Sequence, residues 1–406
     1  MLKAFKYRLY PSRTQEQLLA QTLETCRCWY NTCLEERKTA WDERRESISQ
    51  YGQLRKVKEV KDSNPYAEKV HSHVLQVVVQ DLDKAFNAFF RRVNAGAAPG
   101  YPRFKGRNRF DSFGFKEYGN GFKLDGRRLR LSGIGRLRVR WHRPVEGALK
   151  AVRIVRKAGK WYACFACDVE GQPLEATGRE IGVDVGVHHL MTTSAGETID
   201  NPQWYRAEQA QLRILQRRVS RRKLGGKNRR QAVAALQRQH ERIRNRRRDY
   251  LNKLAHGLIE RYDRIALEDL HIVNMAHNRH LSKSILDAGW GYLKLHLAHP
   301  VVCPACKRRA SGKAEEAGRA VYLVDPAHTS KSCSNCGAVF ENLSLSDRWV
   351  QCGCGLSLDR DHNAALNTPA LRCAKRSASV LKRAGHARWG ITWPVAASVP
   401  HEAPAL

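Results

Sequence analysis

The sequence predicts a multidomain α/β protein. Two short apolar runs, 181–187 and 264–268, carry the carboxylates Asp184 and Glu268, and a long helical stretch separates them. Two close cysteine pairs then precede a short helical segment that contains Asp361. Short apolar runs bounded by turns are typical of buried strands, and their alternation with helices is typical of α/β domains.

The first hundred residues predict one strand followed by helices. Residues 1–10 alternate as a strand does, Pro11 ends it, and Ser12 or Thr14 can cap a helix that runs to Leu34. A second apolar stripe at helical spacing covers 71–93. We therefore predict a helical domain over residues 11–112. The cysteines inside its first helix fit small core residues better than metal ligands; they are Cys26, Cys28 and Cys33.

Residues 113–170 predict a small β-barrel. Short alternating segments are separated by glycine turns, and leucines such as Leu129, Leu131 and Leu137 alternate with arginines. This pattern gives each strand one apolar and one basic face. The strand at 1–10 would complete the barrel.

Three acids stand at separate places in the predicted α/β core. Two strands follow Asp184, then the helical stretch at 203–261, the Glu268 strand and the Asp361 helix. Strand-terminal acids facing solvent are the alternative interpretation. The succession resembles the ribonuclease H fold of RuvC-type nucleases, which implies a nuclease domain over 171–330 and 359–372. Asp359 and Asp361 lie roughly 200° apart on a helix, so only one can face a shared site, and Asp359 can act as the N-cap.

Two cysteine pairs predict a zinc ribbon over residues 331–358. Cys333, Cys336, Cys352 and Cys354 form CSNC and CGC pairs, and four thiolates in two tight turns suit one tetrahedral zinc ion. Disulfides are the alternative, but nothing in the sequence indicates secretion. The shorter second pair leaves open which group completes the shell. A further pair, Cys303 and Cys306, can bind a second zinc, compete for the first, or do neither.

The formal net charge of +33 predicts a polyanion partner. Nucleic acid and an anionic membrane surface both fit, but no apolar run approaches the ~20 residues of a spanning helix. Cysteines in close pairs favour metal binding in a reducing, cytoplasmic compartment. Aromatic and basic residues in two segments are candidate nucleic-acid contacts, although a packed loop also explains the first segment. They are Tyr101, Arg103, Phe104, Lys105, Arg221, Arg222 and Lys223.

Four motifs together resemble the TnpB (OrfB) family of transposon-encoded RNA-guided nucleases, which are related to type V CRISPR effectors. The motifs are KAFKYRLYPSRTQEQ, GVDVG, ALEDL and DRDHNAALN. The resemblance implies that Asp184, Glu268 and Asp361 are catalytic and hold two magnesium ions. It also implies a guide RNA and target double-stranded DNA as partners in a monomeric ribonucleoprotein, with a wedge-like barrel and a helical recognition lobe. An apparent insertion at 299–312 departs from the family pattern.

We therefore expect an RNA-guided, metal-dependent DNA endonuclease that cuts beside a short flanking motif. RNA dependence comes from the resemblance, since charge and carboxylates alone indicate only a metal-dependent nuclease. Three alternatives stay open: a DNA-strand-transferring transposase, a non-cleaving RNA-guided repressor, and a small CRISPR effector. After residue 368 the composition shifts to Ala, Ser and Pro, which predicts a disordered tail at 373–406 in which Cys373 has no assigned role.

Overall fold

The computed structural model describes most of the chain up to Thr368. The described ranges are 2–298, 301–302, 309–310, 312–326, 329–341, 343–344 and 347–368. Cys303, Cys306, Cys373 and the predicted tail at 373–406 lie outside the described residues, so the expectations about them stay predictions. None of the helices in the described ranges is long and apolar enough to cross a membrane.

The N-terminal part combines one large sheet with a group of helices. Ser12 caps the first helix, because its side chain accepts a hydrogen bond from the Gln15 N–H while the Gln15 side chain accepts one from the Ser12 N–H. That helix continues past the predicted Leu34 to Arg44. In chain order the elements are β1 (Leu2–Tyr10), α1 (Arg13–Arg44), α2 (Gln50–Arg55), α3 (Val57–Ser63), α4 (Pro65–Glu68), α5 (Ser72–Asn94), β2 (Ser112–Phe115), β3 (Glu117–Tyr118), β4 (Gly121–Asp125), β5 (Arg128–Leu131), β6 (Gly135–Arg140), β7 (Ala148–Lys157) and β8 (Lys160–Asp168).

The eight strands form one sheet in the order β2-β7-β8-β1-β6-β5-β4-β3. As the alternation predicted, Leu129, Leu131 and Leu137 are buried, while arginines on the same strands face outward. The buried leucines join a core shared with α1 and α5. Cys26 and Cys33 belong to that core, whereas Cys28 is exposed. Closure into a barrel stays a prediction, since β2 and β3 are the two edges and no described ladder joins them.

The second part is a mixed α/β unit. Its sheet has the order β11-β10-β9-β12-β15. Strand β9 pairs antiparallel with β10 and parallel with β12, which pairs parallel with β15. In chain order the elements are β9 (Glu180–Asp184), β10 (His189–Thr193), β11 (Thr198–Asp200), α6 (Trp204–Ala207), α7 (Gln209–Ser220), α8 (Lys227–Arg261), β12 (Arg264–Glu268), α9 (Ile272–Met275), α10 (Ser282–Ala288), α11 (Trp290–Ala298), β13 (Val301–Val302), β14 (Arg309–Ala310), α12 (Lys313–Glu316) and β15 (Ala320–Val324).

The described part of the chain ends in one helix, which follows a small unit that carries Cys333, Cys336, Cys352 and Cys354 and is called the cysteine-bearing unit below. Strands β16 (Trp349–Gln351) and β17 (Ser357–Asp359) pair antiparallel and lead directly into α13 (Arg360–Asn367). Helix α13 packs against β9 and β10 of the five-stranded sheet. The predicted α/β architecture is confirmed, with the Asp361 helix lying against the strand that carries Asp184.

Candidate functional site

Asp184 and Glu268 lie at the carboxyl ends of two neighbouring parallel strands. In the ladder between β9 and β12, Val183 is the partner of Leu267, so the next residue on each strand is one of the two acids. Neighbouring strands lie about 4.8 Å apart, which places the two acidic residues side by side. The two short apolar strands therefore place Asp184 and Glu268 side by side at one edge of the sheet.

Asp361 joins them from the first turn of α13. Asp359 is the N-cap of that helix, and its side chain accepts hydrogen bonds from the backbone N–H groups of Asp361 and His362. Asp361 itself is only 8% exposed. The two carboxylates of the DRD sequence thus have different environments: Asp359 caps the helix, as predicted, and Asp361 lies near Asp184.

The three carboxylates interact electrostatically. Burial raises the pKa of Asp184 well above its usual range, and the nearby charges of Glu268 and Asp361 raise it further. Burial also raises the pKa of Glu268; a hydrogen bond from Thr329 opposes this effect, and Asp361 adds to it. Carboxylates packed this closely repel one another when ionised, and a bound cation would relieve that repulsion.

Two arginines lie close to the third acid, Asp361. Arg360 Nη2 lies 3.4 Å from Asp361 Oδ1, and Arg348 Nη1 lies 3.8 Å from Asp361 Oδ2. Arg360 also donates a hydrogen bond to the Ser344 carbonyl oxygen. These cations partly neutralise the acid cluster and tie it to the cysteine-bearing unit.

The donor set of the acid cluster fits magnesium, because carboxylate oxygens are the hard ligands that this ion prefers. Within the described residues, only the four cysteines have all their potential ligand atoms within 4.8 Å of one another. The three carboxylates are therefore more widely spaced than the ligands of one compact site.

The four cysteines of the predicted ribbon lie together. The sulfurs of Cys333 and Cys354 are 3.6 Å apart, and those of Cys336 and Cys352 are 3.5 Å apart. A tetrahedral zinc ion with Zn–S bonds of ≈ 2.3 Å places sulfurs about 3.8 Å apart. The cluster needs little adjustment to hold zinc, and four sulfurs are present to complete the shell.

Each cysteine pair sits in its own tight turn. The Gly337 N–H donates to the Cys333 carbonyl oxygen, and the Gly355 N–H donates to the Cys352 carbonyl oxygen. Both glycines have positive φ angles, +81° and +89°, which glycine adopts without steric cost. The turn that begins at Cys352 is one residue shorter than the turn that begins at Cys333, which matches the single residue between Cys352 and Cys354.

Hydrogen bonds from nearby groups and among the four thiols favour the thiolate form of Cys354. The backbone N–H of Leu356 and the Asn335 side chain lower the pKa of the Cys354 thiol to about 6. At Cys352 the Cys354 backbone N–H also lowers the pKa, but the neighbouring thiols outweigh it and raise the pKa to about 12. Thiolate is the form that binds zinc.

Two asparagines of α13 fasten the cysteine-bearing unit to the acid cluster, and the sequence interpretation assigned them no role. Asn363 accepts from the Ser334 N–H and donates to the Ser332 carbonyl oxygen. Asn367 donates to the carbonyl oxygens of Thr329 and Ser332. Their spacing of four residues on one helix is the signal that could have identified them.

The predicted nucleic-acid segments have contrasting environments. In the first, Asn31 holds the Lys105 backbone through two hydrogen bonds, and Tyr101 packs edge-on against Phe86 and Phe89. Arg103 and Phe104 are exposed between these two anchors. In the second segment Arg221, Arg222 and Lys223 are exposed in the turn between α7 and α8. Both contacts stay predictions.

A carboxylate cluster beside a four-cysteine cluster, on a chain with a net charge of +33, defines a class of basic α/β proteins whose side chains suit metal ions. Family models refine this class. The OrfB_IS605 model, described as "Probable transposase", matches residues 164–279. The "Cas12f1-like, TNB domain" model matches residues 305–368, and a "Helix-turn-helix domain" model of the same OrfB group matches residues 1–46.

Two relatives that align with most of this chain show the family to which it belongs. The chain is 34% identical over 382 residues to a Streptomyces pristinaespiralis protein named "Putative RNA-guided DNA endonuclease", covering 90% of this chain and 88% of the relative. It is 30% identical over 372 residues to "Putative RNA-guided DNA endonuclease InsQ" of Escherichia coli (strain K12), covering 86% and 87%. The chain therefore belongs to the OrfB (TnpB) family.

Two solved structures of CRISPR effectors match this chain at low identity and low TM-score. A "Cas12f1-sgRNA-target DNA complex" matches with a TM-score of 0.35 and 13% identity, covering 92% of this chain and 100% of that one. The "mini-RNA-guided endonuclease CRISPR-Cas_phi3" matches with a TM-score of 0.45 and 10% identity, covering 91% and 92%.

Proposed function

We propose that this chain is an RNA-guided DNA endonuclease whose active site consists of Asp184, Glu268 and Asp361. The observation that carries the proposal is the meeting of these three acids from β9, β12 and α13 in a chain whose full-length relatives are named RNA-guided DNA endonucleases. The acids come from motifs far apart in the sequence, and their mutual repulsion supports a cation-binding role.

The sheet topology supports a ribonuclease-H-like nuclease core. An antiparallel meander, β9 to β11, is followed after the helices by two strands parallel to β9. That order, with acids on the first strand, the fourth strand and a later helix, corresponds to the arrangement expected from the sequence. The proposed nuclease core comprises the described residues within 171–330 and 359–372, the proposed wedge-like barrel those within 1–10 and 113–170, and the proposed recognition domain 11–112.

In this mechanism Asp184, Glu268 and Asp361 would hold two magnesium ions. Magnesium, when bound, supplies a polarised water and stabilises the negative charge that develops on the leaving oxygen. The protein contributes the position of the ligands: Asp184 and Glu268 are fixed by neighbouring strands, and Asp361 is fixed by a capped helix that rests on β9. Thr329 donates a hydrogen bond to one carboxylate oxygen of Glu268.

Zinc at Cys333, Cys336, Cys352 and Cys354 would have a structural role. Four thiolates leave no open coordination position for substrate, so the ion would serve as a crosslink between two turns. Asn363 and Asn367 connect this crosslink to the helix of Asp361.

A guide RNA and a target DNA duplex are the proposed partners. In such a complex, base pairing with the guide reads the sequence while the protein grips the backbone and reads a short flanking motif. The charge of +33 and the exposed basic segments at 101–105 and 221–223 support a large polyanionic partner.

Incubation of the purified protein with its copurified RNA, magnesium and a plasmid target tests the function. RNA-programmed double-strand cleavage that requires Asp184 supports the proposal. The family description as a transposase favours strand transfer as the second candidate, and joining of DNA ends to an acceptor 3′-hydroxyl would identify it. Target binding without cleavage, unchanged by Asp184→Ala, would instead identify a repressor.

A further inference from the structure

A threonine outside the three acid-bearing elements contacts the acid cluster. Thr329 Oγ1 donates a hydrogen bond to Glu268 Oε1 over 2.6 Å. Thr329 is 9% exposed and precedes the first cysteine of the ribbon by four positions. Its hydroxyl also lies 3.1 Å from the Pro326 carbonyl oxygen. Since the hydroxyl has one proton, the closer and charged carboxylate is the preferred acceptor.

The backbone of Thr329 is hydrogen-bonded to α13, which also binds the segment around the first ribbon cysteine. Asn367 Nδ2 lies 2.9 Å from the Thr329 carbonyl oxygen and 2.6 Å from that of Ser332. Asn363 forms hydrogen bonds with the backbone of Ser332 and Ser334, on both sides of Cys333. A continuous set of hydrogen bonds therefore joins the first cysteine turn to the carboxylate of Glu268.

We propose that Thr329 is a positioning residue for Glu268, and that the folded four-cysteine ribbon holds Thr329 in place. Loss of metal from the ribbon would then release Thr329, and Glu268 would lose the partner that orients it. This inference rests on the proposed function, because it gives Glu268 the role of a metal ligand.

Glu268 needs a hydrogen-bond partner because it lies close to two other carboxylates. Glu268 has a flexible side chain beside two other carboxylates, and in the absence of a restraint the repulsion would turn it away from them. The Thr329 hydroxyl occupies Oε1 and leaves Oε2 available to a cation. Hydrogen-bonded partners of this kind typically change metal affinity by 10–100-fold when they are removed.

The first experiment compares Thr329→Val, which removes the hydroxyl at similar volume, with Thr329→Ser, which keeps it. Thr198→Val, at an exposed position of β11, is the matched control. Mn²⁺ binding to the full chain without nucleic acid is measured by calorimetry, and the Mg²⁺ dependence of cleavage is measured in parallel. We expect Thr329→Val to weaken Mn²⁺ binding about tenfold or more, with Thr329→Ser and Thr198→Val close to wild type. Equal binding by Thr329→Val and wild type would overturn the inference.

The second experiment tests the connection to the ribbon. Cys336→Ser should weaken Mn²⁺ binding as much as Thr329→Val does, and the double variant should bind no more weakly than either single variant. Additive losses, or unchanged binding by Cys336→Ser, would remove the ribbon from the proposal. Failure of the wild-type complex to cut DNA would count against the proposed function alone, since the Mn²⁺ comparison does not depend on cleavage.

Discussion

Gly182 of β9 and Ala365 of α13 are in direct backbone contact. A β-carbon on Gly182 would lie 2.3 Å from the Ala365 carbonyl oxygen and 3.0 Å from that of Thr368. Two residues beyond Gly182 the same strand carries Asp184, and four residues before Ala365 the same helix carries Asp361. The absence of a side chain at Gly182 thus allows the helix that carries Asp361 to lie directly against the strand that carries Asp184.

Gly182→Ala should therefore move α13 away from β9. Overpacking of this kind costs about 1–3 kcal/mol of folding stability. A displacement of Asp361 by roughly 1 Å is enough to lower cleavage about a hundredfold. Thermal unfolding and single-turnover cleavage measure the two effects.

Gly257→Ala is the matched control for Gly182→Ala. Gly257 lies within α8 and has nothing within 4 Å of an added β-carbon. Alanine is favoured over glycine in a helix by roughly 0.5–1 kcal/mol, so this variant should be slightly more stable and fully active. Wild-type cleavage by Gly182→Ala would show that the close contact does not position Asp361.

The acids could be predicted from the sequence because their elements have clear local signals. Asp184 and Glu268 each end a short apolar strand, and Asp359 precedes a helical run with the spacing of an N-cap. The contact between Gly182 and Ala365 has no such signal, since it joins residues far apart in the chain. The same holds for Thr329, whose partner Glu268 lies 61 positions earlier.

Side-chain direction was harder to predict than the elements themselves. The helix around Cys26, Cys28 and Cys33 was predicted correctly, but Cys28 points to solvent. Its position differs from that of Cys26 by about 200° around the helix, which places it on the opposite face. Local composition does not distinguish a small core residue from a small surface residue.

Asp184→Asn should separate stability from activity. Burial and two neighbouring acids raise the pKa of Asp184, so its ionised form destabilises the metal-free fold. A neutral amide of the same shape should therefore increase the unfolding free energy by about 1 kcal/mol, a common size for stabilising substitutions. Cleavage should fall about a thousandfold or more, since metal ligation contributes several kcal/mol and 1.36 kcal/mol is tenfold in rate.

Asp200→Asn is the control, because Asp200 lies in the same sheet with a side chain that is 97% exposed. Its stability and cleavage should remain close to wild type. Calorimetric unfolding without divalent ions and cleavage with magnesium give both readouts. A destabilised Asp184→Asn variant would contradict the repulsion between the acids.

Removal of one ribbon cysteine should remove zinc. The wild-type chain should contain one zinc ion per protein, held by the cluster of Cys333, Cys336, Cys352 and Cys354. Cys354→Ser replaces the thiol whose pKa is lowered to about 6, and we expect less than half of the wild-type zinc content by elemental analysis. Cys28→Ser, at an exposed cysteine of α1, should keep the metal. Full zinc content in Cys354→Ser would exclude this sulfur as a ligand.

Neutralising the turn between α7 and α8 should weaken RNA binding in a salt-dependent way. Arg221, Arg222 and Lys223 are exposed there, and each phosphate contact contributes about 0.7–0.9 to the slope of log K against log salt. The triple alanine variant should therefore show a slope shallower by about 2, measured by filter binding at several salt concentrations. An Arg55, Lys58 and Lys69 triple variant removes the same charge from another exposed surface. Equal slopes for the two variants would indicate a general charge effect.

The loop at 101–105 should bind nucleic acid through its exposed centre. Because Lys105 and Tyr101 are anchored to α1 and α5, Arg103 and Phe104 can be changed with little effect on the fold. Stacking of an unpaired base on an aromatic ring contributes about 1–3 kcal/mol, so Phe104→Ala should weaken binding of single-stranded RNA about fivefold or more. Phe104→Trp keeps the stacking surface and should restore the affinity, whereas Tyr51→Ala, at another exposed aromatic, should leave it unchanged. If Phe104→Ala binds as tightly as wild type while its unfolding temperature falls, the ring serves the packing of the loop and does not contact a base.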